Sequence, residues 1–283
     1  MNSQNQYITG YSLGSIEDLF QERDEPNVEC NFFQFVAELL GKSPWVDLPD
    51  ESGFYKETCL RLAFDVNAHN QRMGSNEPSY HNRQHFKDVC TSLTLLLNQK
   101  VTLAQYLPCW ELHPTDFWIL LLCAIGHDYG HDGSVNSSPN QLEKQSVEQI
   151  KIFLVSLQQP IINTDNLMAK IEPIILATDP SSLGELLSKF SSNQISPSKT
   201  DCLSMLMVEA DLLASTLPKR GLLLGKQLAE EWRTVNPKAA LIVASPQGRI
   251  NFLEYIRFVS PYAITLGMEN IRQESINQLK ASL

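Results

Sequence analysis

Glycine is scarce in this chain, at 13 of 283 residues, and no stretch sustains a period-two alternation of apolar and polar residues. Both absences argue against extensive sheet and for an α-rich protein. No run of Lys and Arg occurs and the formal net charge is −10, which excludes a broad basic surface for nucleic acid. Long hydrophobic runs are missing as well. The most apolar window, FWILLLCAIG at 117–126, is too short to span a bilayer, so no membrane role is expected. The polar start, MNSQNQYITG, lacks the charged-then-apolar layout of a signal peptide. None of the six cysteines stands in a C-x-x-C spacing, and several sit inside apolar runs. They read as buried free thiols in a reducing compartment, and a cytoplasmic location follows.

What is present is ample material for a core, with 43% hydrophobic residues. Helical periodicity recurs from GFYKETCLRLAFDVNAHNQRM onward. It predicts helices near 54–73, 82–99, 115–126, 140–157, 166–177, 201–215, 219–234 and 247–279, the last broken near Pro261. Before residue 50 one helix is expected, in NFFQFVAELLG, closed by Gly41. The stretch SKFSSNQISPSKT at 188–200 reads as a loop. The expectation is an all-α fold: a partly helical flanking segment over 1–50, then one compact multi-helix domain over 51–283.

Two stretches carry chemistry. In SYHNRQHFKDV, His81 and His85 are four apart, a spacing that brings two rings to one face of a helix. Such a pair can bind a metal, move a proton or line a polar face. In LLLCAIGHDYGHDGSVN an apolar helix ends directly on His127, Asp128, His131 and Asp132. Adjacent His and Asp supply a borderline nitrogen and hard oxygens, suited to metals. Charges in such a place cost several kcal/mol, roughly, if buried without a partner, and coordination would offset that. A further carboxylate, Asp211, closes the apolar run CLSMLMVEAD, where an aspartate is a poor helix residue. An acidic protein can still bind an anionic substrate where metal ions set the local field. His69 and His113 read as ordinary structural or surface histidines, and the aromatic stretch NFFQF as core.

YHNRQH, HDYGHDGSVN, IILATD and VEAD, in this order, resemble the class I 3′,5′-cyclic nucleotide phosphodiesterases of the HD superfamily of metal-dependent phosphohydrolases. The resemblance covers roughly residues 54–270. It implies an all-α HD-type catalytic domain and hydrolysis of a cyclic nucleotide to the 5′-monophosphate by a metal-bridging hydroxide. It also divides the roles. His85, His127, Asp128 and Asp211 would be metal ligands, with Asp128 bridging two divalent ions. Zinc is expected at the His-rich site, and magnesium or manganese at the water-rich one. His81 would be the general acid, and His131 would orient the hydroxide. Asn136, Glu148, Thr178 and Asp179 would stand just behind, Glu148 supporting the waters of the second metal. Tyr80 and Phe252 would contact a small-molecule nucleotide.

The sequence also departs from the family. Asp132 takes the place of a usual proline. Aligning FLEYI puts Phe252 at the purine-stacking phenylalanine and Arg249 where the family has a base-gripping glutamine, with Gln247 two residues early. An arginine facing the base would favour cyclic GMP over cyclic AMP. Two other readings remain beside this one: an HD phosphohydrolase of another nucleotide or phosphoester, and a catalytically silent nucleotide-binding module. The intact set His81, His85, His127, Asp128 and Asp211 argues against silence.

Overall fold

A computed structural model describes residues 13–24, 29–42, 53–158, 163–191 and 196–283. Among these there is no strand, and the fold is all-α. Three helices form its centre. The first is α4 (Arg83–Leu97), which buries every residue but Thr94. The second is α5 (Pro114–Gly126), buried without a break from Trp118 to Gly126. The third is α9 (Lys199–Thr216), buried from Cys202 to Ala210. All three pack on one another. A helix apolar all round must be enclosed, and the others do this. They include α3 (Phe54–Met73), α6 (Gln141–Ser156), α7 (Thr164–Leu176) and α10 (Pro218–Val235).

The four-residue spacing of His81 and His85 is read as placing both on one face of a helix, and here the structure corrects the reading. Asn82 is an N-cap: its side-chain oxygen accepts from the backbone N–H of Gln84 at 2.9 Å and of His85 at 3.2 Å. His81 therefore precedes the helix, while His85 stands in its first turn. A residue whose own side chain binds the orphan N–H groups sets the start of a helix more firmly than periodicity can.

The C-terminal third also differs from expectation. The helix expected over 247–279 is three: α12 (Pro246–Tyr255), α13 (Pro261–Leu266) and α14 (Met268–Ala281). Ahead of them lies an unexpected α11 (Pro237–Ala244). Each of α10 to α13 begins with proline at its first position, where a missing N–H costs nothing and φ is already helical. Asn236, Ser245 and Ser260 cap the last three starts by accepting from a backbone N–H. Gly267, at φ +82, adopts the left-handed conformation that ends α13. The stretch read as loop from 188 begins inside α8 (Leu183–Ser191), while 192–195 lie outside the described residues.

The described part of the first fifty residues forms α1 (Leu13–Gln21) and α2 (Phe32–Lys42), which runs through Gly41. Ile16, Phe20, Phe32, Val36 and Leu40 join the same apolar core as the central helices. Of NFFQF, expected as core, Phe32 is fully buried while Phe33 and Phe35 are half-buried.

Buried charges knit these layers. Arg83 is paired with Glu77 at 2.8 Å and also donates to the Cys30 carbonyl. Arg220 of α10 binds both oxygens of Asp88 on α4, at 2.8 to 3.0 Å, and reaches Asp24 beyond α1 at 2.5 Å. Burial raises the Asp88 pKa, and the Arg220 charge opposes that shift.

Asp88→Ala would leave the Arg220 guanidinium buried beside a lost carboxylate. A cost of about 3–5 kcal/mol is expected, read as a lower urea midpoint. The double variant Asp88→Leu/Arg220→Met should recover most of it. A midpoint unchanged in Asp88→Ala would show that water reaches this pair.

Candidate active site

The three central helices end at one place. His85 comes from the first turn of α4, His127 and Asp128 directly follow α5, and Asp211 lies on α9. Four donor atoms converge there. His85 Nε2 lies 3.1 Å from His127 Nε2 and 3.1 Å from Asp128 Oδ2, and His127 Nε2 lies 3.0 Å from Asp128 Oδ2. Asp211 Oδ1 stands 3.4 and 3.7 Å from the same two nitrogens. Ligands about 2.1 Å from one ion are separated by about 3.0 Å in an octahedron and about 3.4 Å in a tetrahedron. The donor set fits a divalent cation in chemistry and in spacing.

The surroundings aim these donors. His127 Nδ1 donates to the Ala124 carbonyl at 3.2 Å, which leaves the Nε2 lone pair for the cluster. His127 also caps α5, whose C-terminal dipole brings partial negative charge to the spot. Tyr129, next in the chain, donates to Asp65 of α3 at 2.7 Å and so ties the loop to the neighbouring helix. At φ +85, Gly130 turns the chain so that His131 comes back toward the cluster.

His81 and His131 stack face to face, 3.7 Å between centroids. Their environments differ. His81 Nδ1 contacts Glu231 Oε1 at 2.5 Å, and the other Glu231 oxygen accepts from the backbone N–H of Tyr80 at 2.7 Å and of His81 at 3.0 Å. Burial works against a charge on His81, but the bond to Glu231 and the nearby Asp128 outweigh it and raise its pKa. His131 Nδ1 accepts from the Gly133 N–H at 3.0 Å. Burial, and then the neighbouring His81 charge, push its pKa down to about 4. One ring is set to hold a proton and the other to stay neutral, a separation that marks distinct acid–base roles.

A cleft of about 390 Å³ opens over this floor, lined by Tyr80, His81, His85, Asp128, His131 and Asp211 on one side. The facing side is mostly apolar and includes Leu224, Leu228, Trp232, Val243 and Phe252. Tyr80 reaches Ser215 Oγ at 3.3 Å, and Phe252 lies half-buried in the wall.

Around the cleft the remaining expected residues divide. Thr178 lines the cleft, its hydroxyl donating to the Ile175 carbonyl at 2.8 Å. The Asp179 carboxylate is occupied by the N–H groups of Asn140, at 2.6 Å, and Ser181, at 2.8 Å, and so anchors the loop. Asn136 accepts from the Leu142 N–H at 2.8 Å and donates to Glu143 at 3.0 Å.

Glu148 is exposed on α6 and is not at the site, while Glu143 is buried and lines the cleft. Five positions along a helix rotate a side chain by about 140° from the face it would share. The signal was legible: Glu143 begins the buried stripe Glu143, Ser146, Val147, Ile150 at i, i+3, i+4, i+7. Glu231, also unanticipated, stands three positions after Leu228 and seven after Leu224, on the helical face that those two cleft-lining residues share. Its partner His81 is 150 residues away.

Gln247 is exposed, donates to Asn251 at 2.8 Å and lies outside the cleft. Arg249 does line the cleft, but it is not a free reader. Nη1 donates to the Ser215 carbonyl at 3.1 Å and Nη2 to the Leu217 carbonyl at 2.8 Å. It thus holds the last carbonyls of α9, and Gly221 makes room: a Cβ there would meet Nη2 at 2.2 Å.

The family model of 3′5′-cyclic nucleotide phosphodiesterases matches residues 80–221, half of the chain. This span contains the four convergent donors, His81 and His131, and stops before Glu231 and Arg249. No curated protein sequence matches the chain. Among solved structures, LmjPDEB1 in complex with IBMX is similar with a TM-score of 0.62 at 16% identity, covering 99% of this chain and 94% of that one. The phosphodiesterase domain of Salpingoeca rosetta rhodopsin phosphodiesterase gives a TM-score of 0.56 at 18% identity, covering 87% and 94%. That of the RhoPDE fusion protein from the same choanoflagellate gives 0.57 at 17%, covering 99% and 93%. These likenesses establish the fold, and with the match over 80–221 the chain belongs to the 3′5′-cyclic nucleotide phosphodiesterase family, as a cyclic-nucleotide phosphodiesterase-like enzyme.

Proposed function

We propose that this chain hydrolyses a 3′,5′-cyclic nucleotide to its 5′-monophosphate at the cleft floor. The observation that supports it best is the convergence of four lone-pair donors beside a histidine equipped to keep its proton. His85, His127, Asp128 and Asp211 would hold one divalent ion. Asp128 would be shared with a second, toward the carboxylate of Glu143. Zinc suits the nitrogen-rich set, and magnesium or manganese the oxygen-rich side. Bound there, the ions would supply Lewis-acid charge to the phosphoryl oxygens and make a water acidic enough to attack.

The chain's own groups do the rest. The water gives up a proton to solvent, the phosphorus gains a bond to the resulting hydroxide oxygen and loses its bond to O3′, which leaves as an alkoxide unless protonated. His81 has Nδ1 committed to Glu231, so Nε2–H is the atom that can give O3′ its proton. Neutral His131, packed on His81, can orient the attacking water without competing for that proton. The apolar wall with Phe252 and Leu228 would take the flat base and exclude bulk water.

Arg249 bears on which base. Four arginines are buried, and Arg83, Arg220 and Arg272 each have a carboxylate partner. Arg249 has two backbone carbonyls instead, and its Nε–H has no partner. Burial lowers its pKa to about 10. A donor-only group rewards a ring carbonyl and offers nothing to an exocyclic amine. Nε is buried from solvent, so a preference for cyclic GMP over cyclic AMP requires the guanidinium to turn into the cleft and offer one charged donor rather than a bidentate fork.

Asp128→Ala is expected to abolish turnover and lower the metal retained after dialysis, with helical content unchanged by circular dichroism. Near wild-type metal and turnover would overturn the reading.

His81→Ala should keep the tight metal and lose about 10² to 10⁴ in turnover, less with a nitrophenolate leaving group. An acid works only while protonated, so kcat/KM should fall as pH rises through the His81 pKa. Because Glu231 raises that pKa, Glu231→Gln should move the alkaline limb to lower pH. An unmoved limb would reject the pair as the proton donor.

A wild-type preference for cyclic GMP of about tenfold or more is expected from one hydrogen bond to a charged group. Arg249→Gln should narrow it while Gln247→Ala leaves it alone. A wild type preferring cyclic AMP, with Arg249→Gln unchanged, would remove Arg249 from base selection.

A further inference from the structure

Helices α10 and α11 form a lobe over the mouth of the cleft, packed closely on each other. A Cβ on Gly225 would stand 3.8 Å from the Val243 carbonyl oxygen, so the stretch around Leu222 adjoins that around Ile242. Leu222 and Ile242 both line the cleft, yet they are 45% and 61% exposed. Beside them in sequence, Leu223 is 43% and Leu241 74% exposed. An aliphatic cluster of this kind is not explained by the core, which it does not enter.

The charge of this lobe opposes that of the whole. On a chain of formal charge −10, the lobe exposes Lys219, Lys226, Arg233 and Lys238 against the single exposed carboxylate Glu230. Glu230 is paired with Arg233 at 2.9 Å, which leaves the three lysines to set the local field. Protein interfaces favour aromatic side chains and are depleted in lysine. Here the exposed large apolar residues are aliphatic, Leu, Ile and Val, and all the exposed cations but Arg233 are lysines. Exposed aliphatic side chains carried on the same two helices as exposed lysines suit an anionic lipid surface, where the chains enter the headgroup boundary and the cations stay in it.

We propose that the α10–α11 lobe docks this protein on an anionic lipid membrane, with Leu223 and Leu241 inserted and Lys219, Lys226 and Lys238 on the headgroups. Docking in this way turns the mouth of the cleft toward the bilayer. The lobe adds a peripheral contact to a chain in which no described helix is long and apolar enough to cross a membrane. This inference does not depend on the substrate.

Co-sedimentation of the intact protein with phosphatidylcholine vesicles, with and without phosphatidylserine, tests it. Three lysines near the surface predict about a hundredfold stronger partition to the anionic vesicles, lost in high salt. Leu241→Ser should weaken partition by about tenfold or more, and Lys238→Glu, which changes the charge by two, by about twenty- to thirtyfold. Neither residue lines the cleft, so turnover of a soluble cyclic nucleotide should be unchanged and certifies folding. Equal partition to both vesicle types, or partition indifferent to both substitutions, would overturn the proposal. So would self-association in sedimentation equilibrium that Leu241→Ser abolishes, since the lobe would then cover a second copy of the chain.

Discussion

Two buried imidazole nitrogens facing each other at 3.1 Å at the floor of the cleft are the constraint on which this fold turns. With both rings neutral and the His127 proton on Nδ1, His127 Nε2 offers a lone pair to its neighbour, and two carboxylate oxygens crowd the same point. Such an arrangement is stable only when positive charge is shared among the four donors, as protons or as a cation. Everything around it serves to keep the donors from moving apart. Three helices with little exposed surface are fixed on one another, and the buried Arg220–Asp88 pair ties α10 to α4 three residues beyond His85.

The second pair of histidines obeys the opposite logic. His81 and His131 are in ring contact, but their charges are kept unequal by what each ring nitrogen touches, a carboxylate on one side and a backbone N–H on the other. Glu231 does more than bias a proton. By accepting the Tyr80 and His81 amides as well, it fixes the chain segment ahead of α4 to α10. The same helix that orders His81 therefore also forms a wall of the cleft, so substrate fit and proton placement share one rigid element.

Where a residue's place was set by its immediate neighbours, it could be read from the sequence. The apolar run ending on His127 and Asp128, and the aspartate closing the run at 211, point at the cluster because a buried charge needs a partner. The central helices fall near their expected bounds because their periodicity is long. What failed was decided by partners distant in sequence or by punctuation. Pro237 begins a helix that was not expected, Pro261 begins one where only a break was expected, and Asn82 starts its helix one residue after His81. Glu143 rather than Glu148 follows from the buried stripe of α6. Arg249 could not be placed without knowing that the end of α9 leaves two carbonyls for it.

His85 and His127 are 42 positions apart in the chain, and Asp211 comes later still on a third helix. No local segment contains more than a fraction of the donor set, so an unfolded or partly folded chain has no chelating site of comparable strength. Loop closure over such distances is completed only when the central helices have docked. An ion can therefore stabilise the finished protein but cannot template its early collapse. For an ion held by these four donors, packing would come first and binding last, with the open cleft as its route in.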